Sequence, residues 1–135
     1  MREILFRGKT LTGKWVEGAY YKQEEFYGDK EDAHIIITSK ETLENDLALE
    51  SHIVIPETVG QYTGLTDNYG TKIFEGDIVE YKEENGTIVY DEQLAMFSVQ
   101  FDTWCTDFDH IYSNELEVID NIHNNPELLG GEDDG

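Results

Sequence analysis

Runs of β-branched and aromatic residues arrive at short intervals along this chain, separated by glycine, asparagine and proline, and no long apolar repeat of helical period interrupts them. Such a pattern confines the fold to sheets built from short strands and tight turns. Its sharpest instance is the segment 76–90, where two β-rich runs flank Asn85-Gly86, a favoured pair for a two-residue type I′ turn. That turn predicts a register in which Glu84 faces Thr87, Glu83 faces Ile88 and Tyr81 faces Tyr90, with Val79, Tyr81, Ile88 and Tyr90 on the core side. Phe97, Val99 and Phe101 then alternate with polar neighbours as a third strand.

Ile4 and Phe6, the turn residues Gly8 to Gly13 and the aromatic run Trp15 to Tyr21 predict an N-terminal β-hairpin. Residues 22–33 are charged and aperiodic, which reads as an exposed loop, and Ile35 to Thr38 form a β-branched strand. Within 39–49, Leu43 and Leu47 at i, i+4 predict the apolar face of a short helical turn that Thr42, Glu44 and Asp46 decorate. Ile53 to Ile55 read as a strand that stops at Pro56, which has no N–H to give a ladder. Leu116 to Ile122 is strand-like, Asn125 to Leu129 starts a helical turn with asparagine as cap, and 130–135 is a flexible acidic tail.

The fold class that follows is mainly β: a small barrel or sandwich with an N-terminal β-hairpin and little helix. Phe74 to Val79, followed by a tight hairpin and another strand, gives the C-terminal half a layout similar to that of small SH3-like barrels. A single domain covers residues 1–135, and 64–70 is where it would subdivide.

Composition narrows the partners. The chain has 135 residues, 39% of them apolar and 12% aromatic, which is enough for a packed core. Thirty acidic residues against nine basic ones leave a net charge of -21, a field that repels nucleic-acid phosphates and anionic lipids. The charge is uneven: residues 1–22 hold five basic and two acidic side chains, whereas 23–135 hold four and 28. A basic N-terminal segment facing an acidic body predicts docking within a chain or between copies, hence a homo-oligomer. Cys105 is the single cysteine, so an intrachain disulfide is excluded and a reducing cytoplasm is the expected compartment. The opening residues lack the apolar core of a secretion signal, and the longest apolar run, Leu94 to Phe97, is far short of the ~18 residues a membrane helix needs.

Candidate sites are few. Asp102, Asp107, Asp109 and His110 form the best metal candidate, since carboxylates suit Mg²⁺ or Mn²⁺ and an imidazole adds a nitrogen ligand. Against it, thirty acidic residues in 135 produce such clusters by composition alone. Gly8-Lys9-Thr10 lacks the upstream glycine of a phosphate loop, and the four histidines show no zinc spacing. Cys105 sits near aspartates that raise a thiol pKa, which argues against a nucleophile. Asp67-Asn-Tyr-Gly70 reads as a turn rather than a calcium loop, because Tyr69 stands where an oxygen ligand belongs. Trp15, Tyr20, Tyr21, Phe26 and Tyr27 gather aromatics near the basic segment, a mix that stacks bases in some nucleic-acid binders and more often packs a core or an interface. No residues compose a cofactor site.

The long motif from Val54 to Asp67, continued by Gly70 to Val79, resembles the YopX family of phage and prophage proteins. The openings at Arg2 to Arg7 and Gly13 to Val16 and the closing Asn125 to Leu129 are similar to family landmarks, so the resemblance runs nearly end to end. Asp120, His123 and the acidic surplus depart from it. The resemblance implies a mostly β fold expressed from a phage gene in a bacterial host, and it supplies no catalytic residues. Gly60, Gly64, Gly70 and Gly76 recur in the motif as expected for turns, bulges or close approaches, and Glu75-Gly-Asp77 for a turn whose carboxylate caps backbone N–H groups. Convergence of Glu57, Glu75 and Asp77 would instead make a carboxylate site.

The leading expectation is a noncatalytic accessory β-domain that binds itself and a host or phage protein. An acidic decoy that imitates DNA before a host DNA-binding protein is the alternative, and a metal-dependent enzyme built on Asp102 to His110 comes third.

Overall fold

The computed structural model describes residues 4–24, 32–41, 44, 46–108 and 113–124. Its contacts divide the chain into two compact units, Met1–Gln61 and Tyr62–Gly135. In the first unit, β1 (Phe6–Lys9), β2 (Trp15–Gln23), β3 (Ala33–Glu41) and β4 (Leu47–Ile53) pair antiparallel in the order β4-β3-β2-β1. The first two residues of β5 (Gly60–Thr66) continue this ladder, with Gln61 opposite Phe6 and Gly60 opposite Arg7.

Alternation decides which side chains are buried. Val16, Ile36 and Val54 form the core of this unit, with Phe6, Tyr20 and Val59 packed against them. Gly18 occupies β2 because a Cβ there would meet the Ile37 carbonyl oxygen at 2.0 Å, so a neighbouring backbone takes the space. Thr58, in a 3₁₀ turn at Pro56–Thr58, accepts the Lys9 N–H at 2.8 Å and donates to the Ile55 carbonyl at 2.6 Å.

One expectation changes here. The helical turn within 39–49 is replaced by a strand pair, since β3 runs to Glu41 and β4 starts at Leu47, with an unbroken register from Ile35↔Ile53 to Glu41↔Leu47. A single helical turn would forfeit that cooperative ladder for very few bonds. The basic segment lies within the sheet of this unit. Arg7 and Lys9 belong to β1 and Lys22 to β2; the Arg7 guanidinium lies 5.1 Å from the Trp15 ring centroid and Lys22 Nζ lies 3.6 Å from Asp32.

In the second unit the rest of β5 pairs with β6 (Lys72–Phe74). A five-stranded antiparallel sheet follows: β7 (Asp77–Tyr81), β8 (Glu84–Asp91), β9 (Met96–Gln100), β10 (Cys105–Asp107) and β11 (Glu117–Asn121), in the order β10-β9-β8-β7-β11. Ile73, Val79, Ile88, Val99, Phe101 and Leu116 make its core.

The protein is thus mainly β, with two antiparallel sheets. The barrel expectation is corrected: among the described residues the five-stranded sheet stays open, with β10 at one edge and β11 at the other. Closure needs a continuous ladder between edges. β10 offers only three residues, and β11 is irregular between Val118 and Asp120.

The turn of the predicted hairpin also moves. Its corner is Lys82-Glu83, both at positive φ (50° and 69°), and the register is Tyr81↔Glu84, Glu80↔Asn85, Val79↔Gly86 and Ile78↔Thr87. Gly86 is needed inside β8, where a Cβ would come within 2.9 Å of Phe101 and of Val99 Cγ1. Packing over the strand therefore outweighs the turn preference of Asn-Gly. Residues 125–129 and the tail 130–135, with the helical turn expected there, lie outside the described residues, as does most of the predicted loop 22–33. No helix among the described residues is long and apolar enough to cross a membrane.

Candidate functional site

The acidic segment singled out in the sequence spans the β9–β10 connection. Phe101 donates its N–H to the Trp104 carbonyl at 2.8 Å and closes a tight turn, which leaves Asp102 exposed at the tip. Asp107 ends β10 opposite Ser98, three residues or about 10 Å of extended chain past Trp104. The strand therefore carries Asp102 and Asp107 to opposite ends of β10. Asp109 and His110 lie outside the described residues. Among the described residues no group of three His, Cys, Asp or Glu side chains is placed to hold a metal ion.

What the turn does build is an aromatic ladder. Trp104 stacks on Phe101 with ring centroids 4.4 Å apart and planes at 14°, and Phe101 in turn meets Tyr81 at 6.1 Å. Glu84 fixes the outer ring, since its two carboxylate oxygens accept from Trp104 Nε1 at 3.3 and 3.2 Å. The Lys82 ammonium lies 5.1 Å from the Tyr81 ring centroid. Trp104 stays 40% exposed whereas Phe101 is buried, so the outer ring of the ladder faces solvent next to the free thiol of Cys105. Sequence reasoning missed it. Its signal was Gly86, whose missing side chain makes room for Phe101, and that became readable only once the register was known.

The carboxylates of the central motif serve the backbone. Asp67 is 5% exposed; its Oδ1 accepts the N–H groups of Tyr69 and Thr71, both at 2.9 Å, and its Oδ2 accepts that of Val118 at 2.8 Å. Burial, the largest single influence, pushes its pKa up, but the bonds from Val118, Thr71 and Tyr69 together outweigh it and hold the carboxyl below its ordinary 3.8. The turn it caps has Gly70 at φ 82°. Asp77, 1% exposed, accepts the Phe74 N–H at 2.7 Å across the Glu75-Gly76 turn. Both turns match their sequence reading, and Gly64 and Gly76 also take positive φ. Glu57 belongs to the first unit and Glu75 to the second, with the Asp77 carboxylate committed to its own turn.

The histidines are also engaged structurally. The His34 ring is hydrogen-bonded to the Tyr20 hydroxyl, and His52 Nε2 lies 3.2 Å from Thr38 Oγ1. The Arg7 guanidinium lies over the Trp15 ring, Tyr20 packs against the core of the first unit, Tyr21 is 43% exposed, and Phe26 and Tyr27 lie outside the described residues. Among the described residues, a groove in the second unit is lined by Leu65, Phe108, Ser113 and Asn114.

Comparison with known proteins bears on the family and the fold. The YopX family profile, described as YopX protein, matches residues 5–130. Among solved structures, the chain is similar to the crystal structure of protein EF1440 from Enterococcus faecalis, with a TM-score of 0.56 and 26% identity over 96% of this chain and 99% of that one. No curated protein matches it.

Proposed function

The chain belongs to the YopX family, and from that premise we propose that it is a noncatalytic phage or prophage accessory protein whose β units bind a protein partner and associate with a second copy. The observation that carries this reading is the use of the buried carboxylates Asp67 and Asp77 as caps for backbone N–H groups, which leaves a charged exterior and exposed aromatic and aliphatic groups as the means of contact. Trp and Tyr are the side chains that most often dominate such contacts. The two units act together as one YopX-like domain in the cytoplasm of a bacterial host, and the second is SH3-like in layout. Sedimentation velocity of the purified protein at low and high salt tests self-association. Oligomers above the 15.5 kDa chain mass are expected, and a monomer in both conditions overturns that part.

A second reading has its own observation. Residues 62–135 hold two basic and 18 acidic side chains, a net -16, against seven and 12 in residues 1–61, a net -5. A charge so concentrated suits an acidic decoy of a host DNA-binding protein. Capture of basic host proteins should then fall as duplex DNA is added, and capture indifferent to DNA removes the reading.

A further inference from the structure

Edge strands invite pairing, and three edges of this protein are blunted in recognisable ways. β6 is three residues long and includes Lys72, β10 is three residues long and ends in Asp107, and β11 is irregular between Val118 and Asp120. β4 is different. It is seven residues long, its register with β3 is unbroken, and no second strand flanks it among the described residues. Its exposed side chains include Glu50 and Ser51 but also large apolar groups: Leu47 is 71% and Leu49 72% exposed, and on the same face lie Ile53 and its row partner Tyr21, 45% and 43% exposed.

The backbone direction follows from one bond. Val54 donates its N–H to the His34 carbonyl at 2.9 Å, so in the same register residues 52, 50 and 48 turn their polar groups toward β3. Leu47, Leu49, Ser51 and Ile53 turn theirs to the open side. At the C-terminal end the space is taken, because Thr10 bridges Val54 and Ile55 donates to the Lys9 carbonyl at 2.8 Å. The available edge is therefore Leu47 to Ser51.

We propose that this edge pairs antiparallel with the same edge of a second copy, about a twofold axis at Leu49. The inference rests on the self-association proposed above and names its surface. Charge selects the register. An axis at Glu50 sets two glutamates opposite one another in a non-hydrogen-bonded pair, where side chains are closest, and an axis at Ala48 sets Asp46 against Glu50 twice. An axis at Ser51 runs into the segment at Thr10. The axis at Leu49 sets Leu49 opposite Leu49, Leu47 opposite Ser51, Ala48 opposite Glu50 and Asp46 opposite His52, with no like charges facing. Each copy then satisfies the outward N–H and C=O groups of the other, and the exposed leucines become cross-strand neighbours.

Two measurements on the full chain test this. In sedimentation equilibrium, Leu49→Lys, which sets two ammonium groups across the axis, should weaken the dimer by roughly 100-fold while leaving the far-UV circular dichroism unchanged. In a Cys105→Ser background, Leu49→Cys should form an interchain disulfide on mild oxidation, because hydrogen-bonded partners sit about 5.5 Å apart between Cα atoms, within disulfide reach. Glu50→Cys should not. A dimer that survives Leu49→Lys, or that cross-links through position 50 instead of 49, overturns this surface and leaves self-association standing. A wild-type chain that is monomeric at every concentration overturns both.

Discussion

Gly86 offers the most exacting test of the packing in the second unit. A Cβ at this position would lie 2.9 Å from Phe101 Cδ1 and Cε1 and from Val99 Cγ1, closer than real contacts allow. Gly86→Ala must therefore push the Phe101 ring, and overpacking of this kind costs about 1–3 kcal/mol. Loss of glycine's freedom in the unfolded chain returns about 0.4–1 kcal/mol, so a net destabilisation of about 1–2 kcal/mol is expected. Urea unfolding followed by far-UV circular dichroism reads it. The same substitution in a Phe101→Leu background should cost at least about 1 kcal/mol less, the coupling expected of residues in contact. A companion variant addresses the corner of the hairpin. Glu83 holds φ at 69°, a conformation glycine adopts without strain, so Glu83→Gly should stabilise by about 0.5–1 kcal/mol. Were Asn85-Gly86 the corner, position 83 would be strand interior and the glycine would destabilise. Equal costs for Gly86→Ala in both backgrounds, together with a destabilising Glu83→Gly, would refute the register.

Two further outcomes follow from buried groups. Because the folded Asp67 carboxyl titrates below 3.8, its stabilisation is whole above that pH and is lost as the pH falls through the folded value; Asp67→Asn should cost about 2–4 kcal/mol at neutral pH and flatten the acid limb of the stability profile, and an unchanged acid limb in the variant contradicts the assignment. Gly18→Ala places a methyl group 2.0 Å from the Ile37 carbonyl oxygen, so it should lower thermal stability by more than the overpacking cost of about 1–3 kcal/mol, and a neutral result in calorimetry would show that β2 and β3 sit further apart.

Much of the fold was legible because local chemistry and tertiary structure agree. The aspartate turns at Asp67 and Asp77 were readable since each carboxylate caps N–H groups within four residues, whereas the long bond from Asp67 to Val118 was not. Val79 and Ile88 were assigned to the core correctly despite a misplaced corner. Moving it to Lys82-Glu83 shifts the partner of Val79 from Glu92 to Gly86, an even number of positions, and an even shift keeps every side chain on its face. The i, i+4 spacing of Leu43 and Leu47 misled because Leu47 belongs to the ladder with β3, where it pairs with Glu41, and Leu43 lies outside the described residues. In the acidic segment the extended strand β10 lies between Asp102 and Asp107, and Asp109 and His110 lie outside the described residues. The Trp104 ladder depends on a gap left by Gly86 on another strand, which spacing along the chain does not reveal.

Amide hydrogen exchange along β4 tests the self-association account most directly. The N–H groups of Ala48, Glu50 and His52 point to β3 and should be protected at every protein concentration. Those of Leu47, Leu49 and Ser51 should exchange quickly in dilute protein and slow as the second copy covers the edge. Fast exchange at these three positions in concentrated protein, where sedimentation shows a dimer, would contradict it.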